Sequence, residues 1–206
     1  MAVYLKKCLI VGKPNVGKTA FLINFAEYLG VRIFEFDFAL PDGTKFKKKY
    51  SCKTAFHELV DSNPHKTLAL QSVTLEIPVG KGKKKIQIID TTGLIDGIHE
   101  DQNVRKSISQ TISEILNSQI IIHIMDGAAV IKKDSLSSPS EVDYQISKLA
   151  RSKRGYVILV NKMDLPDAEE GLKIIKEKFH GNIVIPISAI NKRGFKEVKT
   201  FVAYNL

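Results

Sequence analysis

The stretch Cys8-Leu9-Ile10-Val11-Gly12-Lys13-Pro14-Asn15-Val16-Gly17-Lys18-Thr19-Ala20 decides how the rest of the chain is read. A short apolar run enters a full G-x-x-x-x-G-K-[ST] pattern, and a helical pattern from Thr19 to Leu29 follows. Strand, loop and helix stand in the order that a phosphate cradle needs. Glycines let backbone N–H groups curl around oxygens, the helix N-terminus adds positive potential, and Lys18 brings a charge to the β- and γ-phosphates. The Thr19 hydroxyl is then free to meet Mg²⁺.

Outward from this loop, the runs Cys8 to Val11, Lys85 to Ile89, Ile120 to Met125, Tyr156 to Val160 and Ile183 to Ile187 are brief and apolar. Strands covered on both faces read this way. Leu68 to Val79 is longer and partly alternating, and Gly80-Lys81-Gly82 turns it into the next run, as in an antiparallel hairpin at a sheet edge. Helical patterns lie between the runs at Ser140 to Ala150, Ala168 to Phe179 and Arg193 to Tyr204. In the clearest, Asp101 to Asn117, the spacing of Val104, Ile108, Ile112, Ile115 and Leu116 predicts one stripe against the sheet. The alternation predicts a three-layer α/β fold with a mostly parallel six-stranded sheet and one antiparallel edge strand. Residues 31–66 break the rhythm. Val31 to Phe38 alternates strongly and Pro41-Asp42-Gly43 signals a turn, which predicts a hairpin-bearing insertion within a single domain over 1–206.

Composition agrees with one domain. A chain of 206 residues with 44% apolar and 26% charged residues is neither collagen-like, low-complexity nor disordered. No apolar run approaches the roughly 20 residues of a membrane helix, so neither a leader nor a span is expected. Cys8 and Cys52 are too few for a disulfide scaffold and lack metal-site spacing, which points to a reducing cytoplasm. The net charge of +9 is concentrated in Lys45, Lys47, Lys48, Lys49 and Lys53, opposed by Asp42, and in Lys81, Lys83, Lys84 and Lys85. Such blocks suit a phosphate backbone or an anionic lipid surface, and equally suit edge strands that must not pair with a neighbour.

Two further motifs fall at strand ends, where doubly wound sheets bind ligands. Asp90-Thr91-Thr92-Gly93 closes the third run: Asp90 can anchor Mg²⁺ through water, and the Gly93 N–H can approach a γ-phosphate. Asn161-Lys162-Met163-Asp164 closes the fifth. The two carboxylate oxygens of Asp164 suit the N1–H and exocyclic amine of guanine, groups that adenine lacks. Asn161 would brace the base, the Lys162 stem would cover one ring face, and Ser188-Ala189-Ile190 would close the pocket with a backbone N–H toward the guanine oxygen.

These motifs resemble those of translation-factor-class P-loop GTPases, close to the Era-like and tRNA-modification (MnmE-type) branches, over residues 8–30 and 64–204. The resemblance implies a Ras-like G domain that binds GTP and GDP with Mg²⁺, held by Gly12, Asn15, Val16, Gly17, Lys18, Thr19 and Ala20. It also implies that Thr67 is the switch-I threonine at the metal; from the residues alone Thr54 and Thr74 are rivals. Where Ras-like proteins carry a water-positioning glutamine, this chain has Leu94. An apolar side chain cannot orient water, so slow intrinsic turnover is expected. Asn15 resembles the P-loop asparagine with which K⁺-activated GTPases hold a monovalent cation between the phosphates, though an asparagine also suits a tight turn. Of Asp96, His99, Glu100 and Gln102 in the switch-II segment, Glu100 and Gln102 are the foremost alternatives for placing the water.

Three readings of purpose follow. The first is a GTP-driven switch on the ribosome or RNA, engaged through Lys45–Lys53 and Lys81–Lys85, with a GTP-dependent homodimer across the switches. The second is a protein-recruiting module without RNA contact, acting through the insertion, where exposure of Phe34, Phe36 and Phe38 would mark the partner surface. The third is a GTP binder with negligible turnover. Membrane attachment is not expected, because no lipidation motif accompanies the lysines.

Overall fold

The computed structural model describes residues 5–60, 69–95, 100–130 and 139–206. In chain order its elements are β1 (Lys6–Val11), α1 (Lys18–Tyr28), β2 (Ile33–Ala39), β3 (Lys45–Ser51), α2 (Cys52–Leu59), β4 (Leu70–Val79) and β5 (Gly82–Asp90). There follow α3 (Gln102–Asn117), β6 (Ile120–Asp126), α4 (Glu141–Ala150), β7 (Gly155–Asn161), α5 (Ala168–Lys178), β8 (Val184–Pro186) and α6 (Phe195–Asn205). All the strands join one sheet in the order β3-β2-β4-β5-β1-β6-β7-β8. From β5 to β8 the pairings are parallel, whereas β4, β2 and β3 are added by antiparallel pairing. The α/β class holds. The described residues form eight strands rather than six, because the 31–66 stretch adds β2 and β3 to the same sheet.

Period-two alternation divides the core. In β1, Cys8 and Ile10 face a layer made by α1, α2 and α6, where Phe21, Phe25, Ala55, Phe195 and Val198 are buried. Leu9 and Val11 face the opposite layer with Ile115 of α3, Ile146 of α4 and Ile175 of α5. Both clusters are apolar on both sides of β6 and β7, and within their runs Ile120–Met125 and Val157–Val160 the one polar side chain is a histidine. His123 of β6 is fully buried between the Tyr156 hydroxyl at 3.0 Å from Nδ1 and the Asp143 carboxylate at 3.1 Å from Nε2. The other Asp143 oxygen accepts the Ser140 backbone N–H at 2.8 Å, so the same carboxylate caps α4.

Two expectations change. The α3 stripe is not buried along its length: Ser107, Thr111 and Ile115 face the core, while Ile112 and Leu116 are exposed. Each four-residue step advances about 40° around a helix of 3.6 residues per turn. A row at 104, 108, 112 and 116 therefore winds off the buried face. Likewise Phe34, Phe36 and Phe38 form no partner surface; all three are buried in the core. Phe36 meets Tyr50 edge-on at 5.9 Å and Phe38 stacks on Phe46 at 4.7 Å. The recruiting surface expected on those rings is thereby withdrawn, because the rings cover α2 and the end of the sheet instead.

Glu35 and Asp37 of β2 face outward and pair with lysines of β3. Lys47 lies 3.1 Å from both Glu35 and Asp37, Lys49 is 4.0 Å from Glu35, and Lys48 is 2.7 Å from Glu58 of α2. The turn between the strands closes through the Gly43 N–H to Leu40 carbonyl bond at 3.0 Å and the Thr44 N–H to Asp42 Oδ1 bond at 2.8 Å, with Gly43 at φ 92°. Helix α2 starts where the Ser51 Oγ accepts the Thr54 N–H at 3.1 Å. Among the described residues no helix is long and apolar enough to cross a membrane.

Candidate nucleotide-binding site

The loop from Gly12 to Thr19 leaves β1 and enters α1 at the end of the sheet formed by the C-termini of the parallel strands. Its shape depends on glycine at three contacts. A Cβ on Gly12 would strike the Ile124 carbonyl, one on Gly17 the Asn161 side chain, and one on Gly93 the Pro14 backbone. Gly12 and Gly17 also have positive φ, 147° and 96°. Asn15, exposed at the loop crest, has φ 60°. That conformation by itself favours asparagine over most residues.

Both lysines of the loop, Lys13 and Lys18, are buried. The Lys18 ammonium donates to the Gly12 carbonyl at 3.2 Å and the Lys13 carbonyl at 2.7 Å. Burial lowers its pKa to about 8, and the nearby Asp90 only partly opposes this. Asp90 is fully buried as well, and burial pushes its carboxyl up to about 6 against the pull of Lys18 and the Thr19 bond. Its Oδ2 accepts the Thr19 hydroxyl at 2.6 Å, and its Oδ1 has no hydrogen-bond partner. An orphaned carboxylate oxygen beside a hydroxyl is a donor set that suits a hard divalent cation such as Mg²⁺, and a desolvated ammonium suits a phosphate.

The second half of the site is tied to the first by one side chain. Asn161 at the end of β7 donates from Nδ2 to the Val16 carbonyl at 2.8 Å and accepts the Ala189 N–H on Oδ1 at 2.8 Å. Asp164 is exposed and accepts the Ser188 hydroxyl at 2.5 Å; Ser188 and Ala189 are buried and Ile190 is exposed. Sequence reading missed two supports here. Asn24 of α1 donates to the Ala189 carbonyl at 2.7 Å. Asp126 at the end of β6 lies 2.6 Å from the Lys162 ammonium and also accepts the Ala128 and Ala129 N–H groups at 3.0 and 3.2 Å. A lone Asp after an apolar run carries no signal for either role.

Around the γ-phosphate end the outcomes differ. Thr67, Asp96 and His99 lie outside the described residues. Its rival Thr54 serves the cap of α2, and Thr74 is an exposed residue of β4 paired with Gln87, three rungs from Asp90. Leu94 is buried against the α3–α5 layer, and its N–H donates to the Gly12 carbonyl at 3.1 Å. The Thr92 hydroxyl lies 3.5 Å from that of Thr111, joining this segment to α3. Glu100 and Gln102 are exposed at the start of α3, where the Glu100 carbonyl accepts the Arg105 guanidinium at 2.7 Å. The structure gives neither side chain a hydrogen bond to the Gly12–Thr19 loop.

Comparison with known proteins matches this geometry. The chain is 31% identical over 122 residues to the GTPase Obg of Brevibacillus brevis, covering 58% of this chain and 28% of that protein. Its fold is similar to Era of Aquifex aeolicus bound to GDP·AlF4⁻, with TM-score 0.62, 17% identity and coverage of 98% of this chain and 57% of that one. It is also similar to Era in complex with MgGDPNP and nucleotides 1506–1542 of 16S ribosomal RNA, at TM-score 0.61 and 18% identity over 98% of this chain and 58% of that one. The sequence profile for 50S ribosome-binding GTPases matches residues 51–162, more than half of the chain, from β3 through the Asp90 and Asn161 strand ends. The Gly12–Thr19 loop lies outside that match and satisfies its own pattern independently, so the chain belongs to the family of 50S ribosome-binding GTPases.

Proposed function

We propose that this domain binds GTP with Mg²⁺ between the Gly12–Thr19 and Asp164–Ser188 loops, hydrolyses it slowly with stimulation by K⁺, and uses the difference between GTP and GDP to time contact with ribosomal RNA. The observation that carries the reading is Asn161, which joins the Val16 carbonyl to the Ala189 N–H. A phosphate loop and a purine pocket built on one shared side chain fit a single ligand reaching both.

Thr19 and Asp90 would hold Mg²⁺, joined by Thr67 as the switch-I threonine; when bound, the ion offsets charge on the β- and γ-phosphate oxygens. Lys18 exchanges its carbonyl partners for phosphate oxygens and recovers the ion pair that burial denies it. Pro14 packs so closely against Gly93 that no Cβ fits there, and the Gly93 N–H would be the group that meets the γ-phosphate. Because Leu94 is buried, its side chain leaves the attacking water to other groups of the switch-II segment, of which Glu100 and Gln102 are the candidates put forward. Asn15 at the crest would hold K⁺, which would supply the positive charge that an arginine from a partner supplies elsewhere. The RNA part is supported by the family's description and by the Era neighbour that carries a 16S fragment.

Calorimetry should find GTP and GDP bound at least 100-fold more tightly than ATP. Asp164→Asn should move preference toward xanthine nucleotides, because a carboxamide donates to the xanthine 2-oxygen where the carboxylate accepted the guanine amine. Equal affinity for adenine and guanine nucleotides would end the GTPase reading. Single-turnover hydrolysis should run faster in KCl than in NaCl, and Asn15→Asp should abolish the difference; identical rates in both salts would remove the cation role. Co-sedimentation with ribosomal subunits should depend on which nucleotide is bound and fall steeply with salt.

A further inference from the structure

Basic residues of the two lysine blocks are less available than the sequence suggests, since Lys47, Lys48, Lys49 and Lys83 are all paired with carboxylates. A different set of basic side chains converges elsewhere. Between the C-terminal ends of α4 and α5 lies a cleft of about 360 Å³, whose lining includes Lys148, Arg151, Lys178 and His180 and no Asp or Glu. Among the described residues no carboxylate forms an ion pair with any of these four. Helix dipoles favour a cation at each helix C-terminus. They do not explain why two helices aim theirs into one hollow.

The rest of the lining is aromatic and rigid. Tyr144 stacks on buried Phe179, with ring centroids 5.1 Å apart and planes 21° apart, and remains 38% exposed. Asn182 is pinned by its side-chain bond to the Phe179 carbonyl at 3.0 Å. Beneath them lie buried Ser147 and Tyr156, the latter bonded to His123 in the His123–Asp143 network. Both helices end here and feed the N-termini of β7 and β8, so the cleft lies at the end of the sheet opposite the phosphate loop. A ligand in it would not compete with GTP.

We propose that the α4–α5 cleft is a binding site for single-stranded RNA, with Tyr144 stacking one base and Lys148, Arg151 and Lys178 meeting the flanking phosphates. This rests on the reading of the domain as an RNA-directed GTPase and names the surface it uses. A ring platform within a positive groove is the arrangement by which single strands are held without reading their sequence. Anionic lipid headgroups would use the same charges, and the stacked, half-exposed ring is the feature that a base would use in addition.

The test is fluorescence anisotropy of the full chain with a labelled single-stranded RNA of about 12 nucleotides, a length within the range held by comparable grooves. Tyr144→Ala should weaken binding roughly 5- to 140-fold and Tyr144→Phe should restore it. Arg151→Glu with Lys178→Glu should flatten the log–log salt slope by about 1.4, at about 0.7 for each lost phosphate contact. All variants should keep wild-type GTP affinity and melting temperature. If Lys84→Glu with Lys85→Glu abolishes binding and the cleft variants do not, the cleft is wrong and the RNA reading survives. Absence of any RNA binding at low salt overturns both. Cleft-dependent binding to phosphatidylserine vesicles that ignores Tyr144→Ala overturns the RNA assignment in favour of a lipid surface.

Discussion

The two sides of the sheet are built on different terms. From β5 to β8 the pairings are parallel, β6 and β7 are buried on both faces, and the candidate nucleotide residues stand at the strands' C-terminal ends. The β2–β3 hairpin is buried on one face only, by Phe34, Phe36, Phe38 and Tyr50, and its other face is a lattice of Glu35, Asp37, Lys47 and Lys49. The seam between them is thin: β2 meets β4 over the rungs Asp37↔Ser72, Phe38↔Gln71 and Ala39↔Leu70, whereas β4 meets β5 from Gln71↔Asp90 to Val79↔Gly82. A block of like charge in sequence is therefore not a block of like charge in space once the opposite strand is in register.

The comparison breaks most visibly at Phe36. Truncation to Ala at this fully buried position should cost about 3–5 kcal/mol. Urea unfolding should remain a single transition, because the rings of the hairpin pack into the same cluster as β1 and α1. Two transitions would mean that the hairpin is an independent unit hung on a weak seam. On the parallel side, Lys18→Ala should weaken GTP binding roughly 10²- to 10³-fold, as expected when one member of a buried charged contact is removed. The ligand-free variant should melt no lower than wild type, since its buried ammonium is unfavourable without phosphate. A large fall in melting temperature would show that Lys18 supports the fold rather than the ligand.

How far such contrasts can be read beforehand follows from the range of the interactions. The β1, β6 and β7 runs, their helices and the motifs at their ends are local patterns, and they were legible. Helix α2 was not, because its signal is one serine cap, Ser51 to Thr54, inside a lysine-rich stretch. The exposed end of α3 escaped because apolar residues at four-residue spacing look like one stripe while winding around the helix. The Lys47 pairs escaped because Glu35 and Asp37 become its neighbours only through strand register. His123 gave no warning either: within Ile-Ile-Ile-His-Ile-Met, nothing local names Tyr156 or Asp143 as partners.

Smaller effects sharpen the contrast. Asp90 is raised from 3.8 to about 6 in the fold, so the stability it contributes is complete below pH about 4 and is lost as pH rises through about 6. Lys18 is lowered from 10.5 to about 8, so its contribution is complete above pH about 10.5 and is lost as pH falls through about 8. Ligand-free protein should therefore show its weakest contribution from this pair between pH about 6 and 8. Urea midpoints at pH 4.5, 7 and 9.5 for wild type and Lys18→Ala test this; a variant that keeps the high-pH rise would refute the assignment. The hairpin lattice should be nearly silent: Lys47→Ala, at an exposed ion pair, should leave the melting temperature unchanged within error. A clear loss would show that the outward charges hold the hairpin in place.

The Asn161 carboxamide has a kinetic corollary. Since Val16 and Ala189 hang from the same planar group, a fluctuation that frees the purine also slackens the grip on its phosphates. Under the proposed function, release of nucleotide should proceed as one opening with a single exponential decay, its lifetime set by how often that amide lets go.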